Sequence, residues 1–319
     1  MATAEWGLMC AASLLALIYG AASLALVHRC TAHPAPPMAA GPGGDAVQFY
    51  SRSPLIRLTA TYLPAAGARG AVVLVHGLGM HRGQTLAGAA GGLSAELRAA
   101  GLSVLALDLR GHGGSDPDRL GFGRTERLDV LGAVDWLLER GYPPGRIAVA
   151  GASMGGAAAI AAAAEEPAIG AVVSDSAFAH FGAMLWRTLP GLLPLGLGVV
   201  FLPGLVLGGW LLLGANLYRF SPALLATRLR QRPLLVIHAA DDCCVPVAHA
   251  SHLAAHAGTE LWITPTGGHL GSVLSQPIAY RHRVARFLVD ALACPRKAHD
   301  TAPATPPPAL FDPEEAQGA

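Results

Sequence analysis

Ile147-Ala148-Val149-Ala150-Gly151-Ala152-Ser153-Met154-Gly155, followed by the alanine-rich stretch at 157–164, reads as a buried strand that turns into a helix at a serine. A Gly-x-Ser-x-Gly turn of this kind is strained. The serine takes an unfavourable backbone angle, and a side chain two residues to either side would collide with the strand or the helix, so glycine is needed at both places. The serine hydroxyl is then presented at a helix start, where backbone N–H groups stabilise negative charge.

One such pentapeptide carries little weight in a chain with 39 glycines; its company carries more. Val72-Val73-Leu74-Val75-His76-Gly77-Leu78-Gly79 is a second buried strand running into a glycine-rich loop. The N–H groups of Leu78 and Met154 are the expected pair of donors for an oxyanion. Leu234-Leu235-Val236-Ile237-His238 is a third such run, and it delivers Asp241 and Asp242 to a loop before Val245-Pro246. A carboxylate there can accept an imidazole Nδ1–H and fix the tautomer that takes the serine proton. His269, in Thr266-Gly267-Gly268-His269-Leu270 after the strand-like 260–264, supplies the imidazole and completes the order serine, aspartate, histidine.

With His76-Gly77-Leu78-Gly79, Asp108-Leu109-Arg110-Gly111-His112-Gly113-Gly114-Ser115, Gly151 to Gly155, His238 to Asp242 and Gly268-His269 in that order, the chain resembles the α/β-hydrolase superfamily over about residues 50–292, and within it the monoacylglycerol-lipase and serine-aminopeptidase-like branch. The resemblance implies a mostly parallel sheet flanked by helices, with Ser153 as nucleophile, His269 as general base and acid, Asp242 as the orienting acid, and Leu78 and Met154 as oxyanion donors. Two departures stand in the acid loop: Ala239 where the family usually has glycine, and the adjacent Cys243 and Cys244. Asp241 and Asp175, the latter after the buried run at 171–173, remain rivals for the acid.

Residues 6–27 carry no charge, enough to cross a hydrocarbon core of about 30 Å at roughly 1.5 Å per residue. Glu5 before the run and Arg29 after it favour a retained single-pass anchor over a cleaved signal peptide, which has a basic start and a shorter apolar core. Arg29 favours the cytoplasmic side for the catalytic domain. The division expected is an anchor at 1–30, a linker at 31–44 rich in proline, glycine and alanine, a hydrolase domain at 45–294 and a disordered tail at 295–319. No charged residue lies between Arg187 and Arg219. This interval, after the sixth strand of the family pattern, is expected to form an apolar cap at about 180–220 that buries an acyl chain or dips into a membrane interface.

Strand-like runs at 71–75, 103–108, 146–150, 170–174, 233–238 and 259–264 alternate with helix-length segments, among them amphipathic helices at 128–140 and 280–292, as a parallel sheet requires. A net charge of +1 with 13% charged residues provides no field for nucleic acid. His76, His112 and His238 lie at strand ends without metal-ligand spacing, and neither a phosphate loop nor a dinucleotide fingerprint is present, so no metal or cofactor is expected. The five cysteines give no disulfide framework. The expectation is a membrane-anchored serine hydrolase acting on small-molecule or lipid-like esters or thioesters. An aminopeptidase-type peptidase and a non-catalytic lipid- or protein-binding adaptor are the alternatives.

Overall fold

The computed structural model describes residues 2–31, 44–53, 55–85, 92–192, 199–214 and 216–293. The expected linker, apart from its two end residues, and the expected tail lie outside them.

Eight strands form one sheet: β1 (Asp45–Tyr50), β2 (Arg57–Leu63), β3 (Gly70–Val75), β4 (Leu102–Leu107), β5 (Ile147–Ala152), β6 (Ile169–Asp175), β7 (Leu234–Ala239) and β8 (Glu260–Thr264). Their order is β1-β2-β4-β3-β5-β6-β7-β8. From β4 to β8 every pairing is parallel, and β3, β4, β5 and β7 are buried at every residue. Parallel strands covered on both faces read as continuous apolar runs rather than alternating ones, which is why β3 to β7 were visible in the sequence; β8, at the sheet edge opposite β1, has mixed exposure and showed itself by the apolar Leu261-Trp262-Ile263. The antiparallel β1 and β2 were not visible. β1, Asp-Ala-Val-Gln-Phe-Tyr, alternates between exposed and half-buried positions at the sheet edge and has no apolar run to betray it.

The helices divide by face. Val73, Val75 and Val149 point into one core with α3 (Arg127–Glu139), α4 (Met154–Glu165), α7 (Pro222–Ala226) and α8 (Ala248–Ala257). Val72, Leu74 and Ala150 point into the other, against α2 (Gly92–Ala99) and α10 (Pro277–Ala293). The expected helices at 128–140 and 280–292 are α3 and α10; α10 starts earlier because Pro277 has the fixed φ of a first helical residue and no N–H to lose. The sheet order reverses between β3 and β5: the chain leaves β3 for β4 on one side, returns to β5 on the other, and continues outward through β6, β7 and β8. The crevice beyond the carboxyl ends of strands at such a switch is where ligands bind.

Helix α1 (Ala2–Thr31) contains an 18-residue window, Ala12–Arg29, long and apolar enough to cross a membrane, of which only 11% is buried. Between β6 and β7 the chain forms α5 (Phe181–Leu192) and α6 (Leu202–Leu213), then a 3-10 turn at Leu217–Arg219. Helix α6 packs against α1.

Candidate active site

The turn after β5 shows why its glycines are required. Ser153 has φ 52° and ψ −115°, a backbone conformation that side chains rarely adopt. A Cβ on Gly151 would lie 2.2 Å from the Gly155 carbonyl oxygen, and one on Gly155 would lie 2.4 Å from the carbonyl oxygen of His76. The strain is held by neighbours: the Ser153 N–H donates to the Asp175 carbonyl at 2.7 Å, and the Ser153 carbonyl accepts from Ala157 at 3.1 Å. Met154 is the first residue of α4, so its N–H is one of the groups a helix cannot satisfy internally.

The loop after β3 passes beside this turn, since a Cβ on Gly77 would lie 3.3 Å from that of Ser153. Two buried histidines brace it. His76 Nε2 accepts from the Leu109 N–H at 3.0 Å while its Nδ1–H donates to the Gly77 carbonyl at 2.7 Å; His112 Nε2 accepts from the Gly79 N–H at 3.1 Å. Burial, reinforced by His112, pushes the His76 pKa down to about 3, so the ring stays neutral and keeps this donor and acceptor pattern. Leu78, which carries the second expected oxyanion donor, lies between the two anchored glycines and is 42% exposed.

The loop after β8 brings His269 to the same place. Its Nδ1–H donates to Asp242 Oδ2 at 2.8 Å, and Nε2 lies 3.0 Å from Ser153 Oγ, as an acceptor of the hydroxyl proton. Residues separated by 116 positions therefore form one line of carboxylate, imidazole and hydroxyl.

The neighbouring carboxylates have other partners. Asp241 accepts from the Gly268 N–H at 2.8 Å and from the Gly267 N–H at 3.2 Å, and so ties down the loop that carries His269. Asp175 accepts from Tyr280 Oη at 2.8 Å and from Ser176 Oγ at 2.9 Å, and burial raises its pKa despite these bonds. Asp242 itself accepts on Oδ1 from the N–H groups of Cys244 and Val245, at 2.9 and 2.8 Å. Burial opposes its ionisation, but hydrogen bonds from His238, His269 and Val245 outweigh it and hold the carboxyl well below the usual carboxylate range.

His238, read from sequence as a structural histidine at a strand end, turns out to serve Asp242. Its Nε2 lies 2.7 Å from the Val245 carbonyl and 3.3 Å from Asp242 Oδ2. Burial acts to lower its pKa, and the Asp242 carboxylate raises it on balance. The sequence signal was present, a histidine four residues before the acid, but only the path of the loop turns that spacing into a contact. Arg110, paired with Asp129 at 2.7 Å, and Asp108, paired with Arg82, are buried braces of the loop after β4. Cys243 and Cys244 are free and exposed. Among the described residues no group of three or more histidine, cysteine, aspartate or glutamate side chains is placed to hold a metal ion.

A family model described as serine aminopeptidase, S33, matches residues 66–199, which takes in the loop after β3 and Ser153 and ends before Asp242. Among solved structures, the esterase Pf2001 of Pyrococcus furiosus is 23% identical, covers 81% of this chain and 99% of its own, and has a TM-score of 0.64. The α/β hydrolase GrgF from Penicillium sp. sh18 is 19% identical over 78% of this chain and 99% of its own, with a TM-score of 0.59. Est1E from Butyrivibrio proteoclasticus, with ferulic acid bound, is 19% identical over 78% and 100%, with a TM-score of 0.57. At these identities the likeness is one of fold. No curated protein matches the chain.

Proposed function

We propose that this chain, which has the α/β-hydrolase fold, is a membrane-anchored serine hydrolase that cleaves carboxylic esters or thioesters through an acyl-enzyme. Ser153 Oγ attacks the carbonyl carbon and His269 Nε2 takes its proton. The oxyanion rests on the N–H groups of Leu78 and Met154, and the imidazolium is steadied by Asp242. His269 then returns the proton to the leaving alcohol or thiol, and water, activated by the same imidazole, releases the acid and restores Ser153.

The observation that supports this reading is the line from Asp242 through His269 to Ser153, at 2.8 and 3.0 Å, ending on a serine in a strained turn at the head of a helix. One of the structural neighbours, Pf2001, is an esterase, which favours an ester over a peptide substrate. The family model's description keeps an aminopeptidase as the second reading. Helix α1 is the anchor, and Arg29 at its end favours the cytoplasmic side for the domain.

The test is labelling with a fluorophosphonate probe and hydrolysis of a short p-nitrophenyl ester. Wild type is expected to react with both. Ser153→Ala is expected to lose labelling and at least about 10⁴-fold in kcat. Hydrolysis by the purified variant at the wild-type rate would refute the assignment of the nucleophile. An unlabelled wild type would point to an adaptor, and preference for aminoacyl amides over esters to a peptidase.

A further inference from the structure

Helix α6 lies along α1 in a constant register, and its glycines make the contact. A Cβ on Gly204 would fall 2.0 Å from Ser23 Oγ, and one on Gly208 would fall 3.2 Å from a Val27 methyl group and 3.4 Å from a Leu24 methyl group. The Tyr19 ring stacks on Phe201 with 5.3 Å between centroids and 8° between planes. Tyr19 and Val200 are 181 positions apart. Ser23 with Gly204 (204 − 23) and Val27 with Gly208 (208 − 27) give the same 181, so the two helices run parallel with matched heights.

That register fixes where α6 goes when α1 enters a bilayer. Trp210 stands level with Arg29 (210 − 181), the first strong charge after the apolar run, and Val200 stands level with Tyr19. Ten residues at roughly 1.5 Å each put Val200 about 15 Å beyond the Arg29 level, half of a hydrocarbon core of about 30 Å. The outer face of α6 suits that depth: Val200, Leu207 and Leu211 are each more than half exposed, and Trp210 sits at the edge, where tryptophan rings concentrate.

The backbone suits it as well. The first N–H groups of a helix have no internal partner, which is costly where water is absent. The Tyr19 hydroxyl accepts from the Gly204 N–H at 3.1 Å and donates to the Val200 carbonyl at 2.9 Å, so α1 closes the start of α6. The pair also reaches the reaction site. The Thr31 carbonyl at the end of α1 accepts from the Leu120 N–H at 3.0 Å, and the next residues, Phe122 and Gly123, lean on Phe181 and on the first turn of α4.

We infer that α6 is a leaflet helix: it enters the half of the bilayer nearest the hydrolase domain, packed against α1, and starts near the midplane. The cap is thereby seated in lipid and does not swing freely in water. This rests on reading α1 as a membrane anchor.

Nitroxide labels on a cysteine-free full-length chain in phosphatidylcholine nanodiscs test it, placed singly at Val200→Cys, Leu207→Cys, Trp210→Cys, Leu17→Cys in α1 and Leu274→Cys as an aqueous reference. Collision with oxygen, which partitions into lipid, is compared with collision with a water-soluble nickel chelate. The oxygen-to-nickel ratio at 200 and 207 is expected to exceed that at 274 by about tenfold, with 210 between them. Water-like ratios at 200 and 207 with a lipid-like ratio at 17 would overturn the leaflet placement and leave the anchor standing. Water-like ratios at all three would overturn both. Fluorophosphonate labelling of the same samples reports on the catalytic reading independently.

Discussion

Glycine admits a close neighbour both beneath the turn after β5 and along α6, and the neighbours differ. Beneath the turn after β5, a Cβ on Gly155 would strike the carbonyl oxygens of His76 and Val75 at 2.4 and 2.5 Å, atoms of a central strand and the loop it feeds. On α6, a Cβ on Gly208 would press on side-chain methyl groups of Val27 and Leu24 at 3.2 and 3.4 Å, which can rotate or shift. The first site holds polar groups in fixed geometry and accepts one backbone path. The second holds two apolar helices together and accepts many sequences. Substitutions around Ser153 are therefore expected to be costly and specific, and those between α1 and α6 mild.

The largest effect is expected inside the polar site, where two adjacent carboxylates do different work. In Asp242→Asn the acceptor for the imidazole Nδ1–H is weakened and the wrong tautomer is favoured, so kcat for ester hydrolysis should fall by about 10⁴. Asp241→Asn removes the charge from a bond to the Gly267 and Gly268 N–H groups, and a loop displaced by a fraction of an ångström should cost about tenfold. Steady-state kinetics on the two variants separate these roles. Equal losses would mean that the polar site is less specific than its geometry implies.

Next comes the backbone contact itself. Gly155→Ala should destabilise the protein by about 1–3 kcal/mol, because the atoms it meets belong to β3 and its exit loop and have nowhere to go. The thermal midpoint in detergent is expected to drop by roughly 3–10 °C. A shift too small to measure would remove the first half of the contrast.

A smaller, pH-dependent effect belongs to His238 and Asp242. His238 has a raised pKa in the folded state, so its contribution to stability is complete below the unfolded value of 6.5 and is lost as pH rises through the folded value. Asp242 has a lowered pKa, so its contribution is present above 3.8 and is lost as pH falls through the folded value. The pair stabilises most between those limits. The stability gap between wild type and His238→Gln should therefore be widest near pH 5–6 and shrink towards pH 9, as read from denaturant midpoints across that range. A gap that widened with pH would show that His238 is held neutral.

The same contrast explains what could be read in the chain. Strands β3 to β7 announced themselves because burial on both faces demands unbroken runs such as Val72 to Val75. Strand β1 pairs at the edge with mixed exposure and carried no such mark. Ser153 and His269 stand in glycine turns whose backbone needs are local, so their short motifs, taken in order with the other motifs of the chain, brought them forward. Asp241 and Asp242 are the same residue side by side, and only the path of the loop gives the imidazole to one and the Gly267 and Gly268 amides to the other. The pairing of α1 with α6 was the least legible. Each segment showed its lack of charge, but small residues and methyl groups 181 positions apart do not name each other.

The smallest effect is expected at Gly208, where two terms of opposite sign nearly cancel. Alanine within a helix gains about 1 kcal/mol over glycine, partly because the unfolded chain loses freedom. Against this, the new methyl group would press on Val27 at 3.2 Å, a contact that must relax by a few tenths of an ångström. Gly208→Ala should thus move the thermal midpoint in detergent by less than about 2 °C in either direction, which corresponds to about 0.5 kcal/mol in a domain of this size. Gly204→Ala, aimed at Ser23 Oγ from 2.0 Å, should lower it further than Gly208→Ala. The reverse ranking would mean that α1 and α6 do not share the register in which Tyr19 meets Val200.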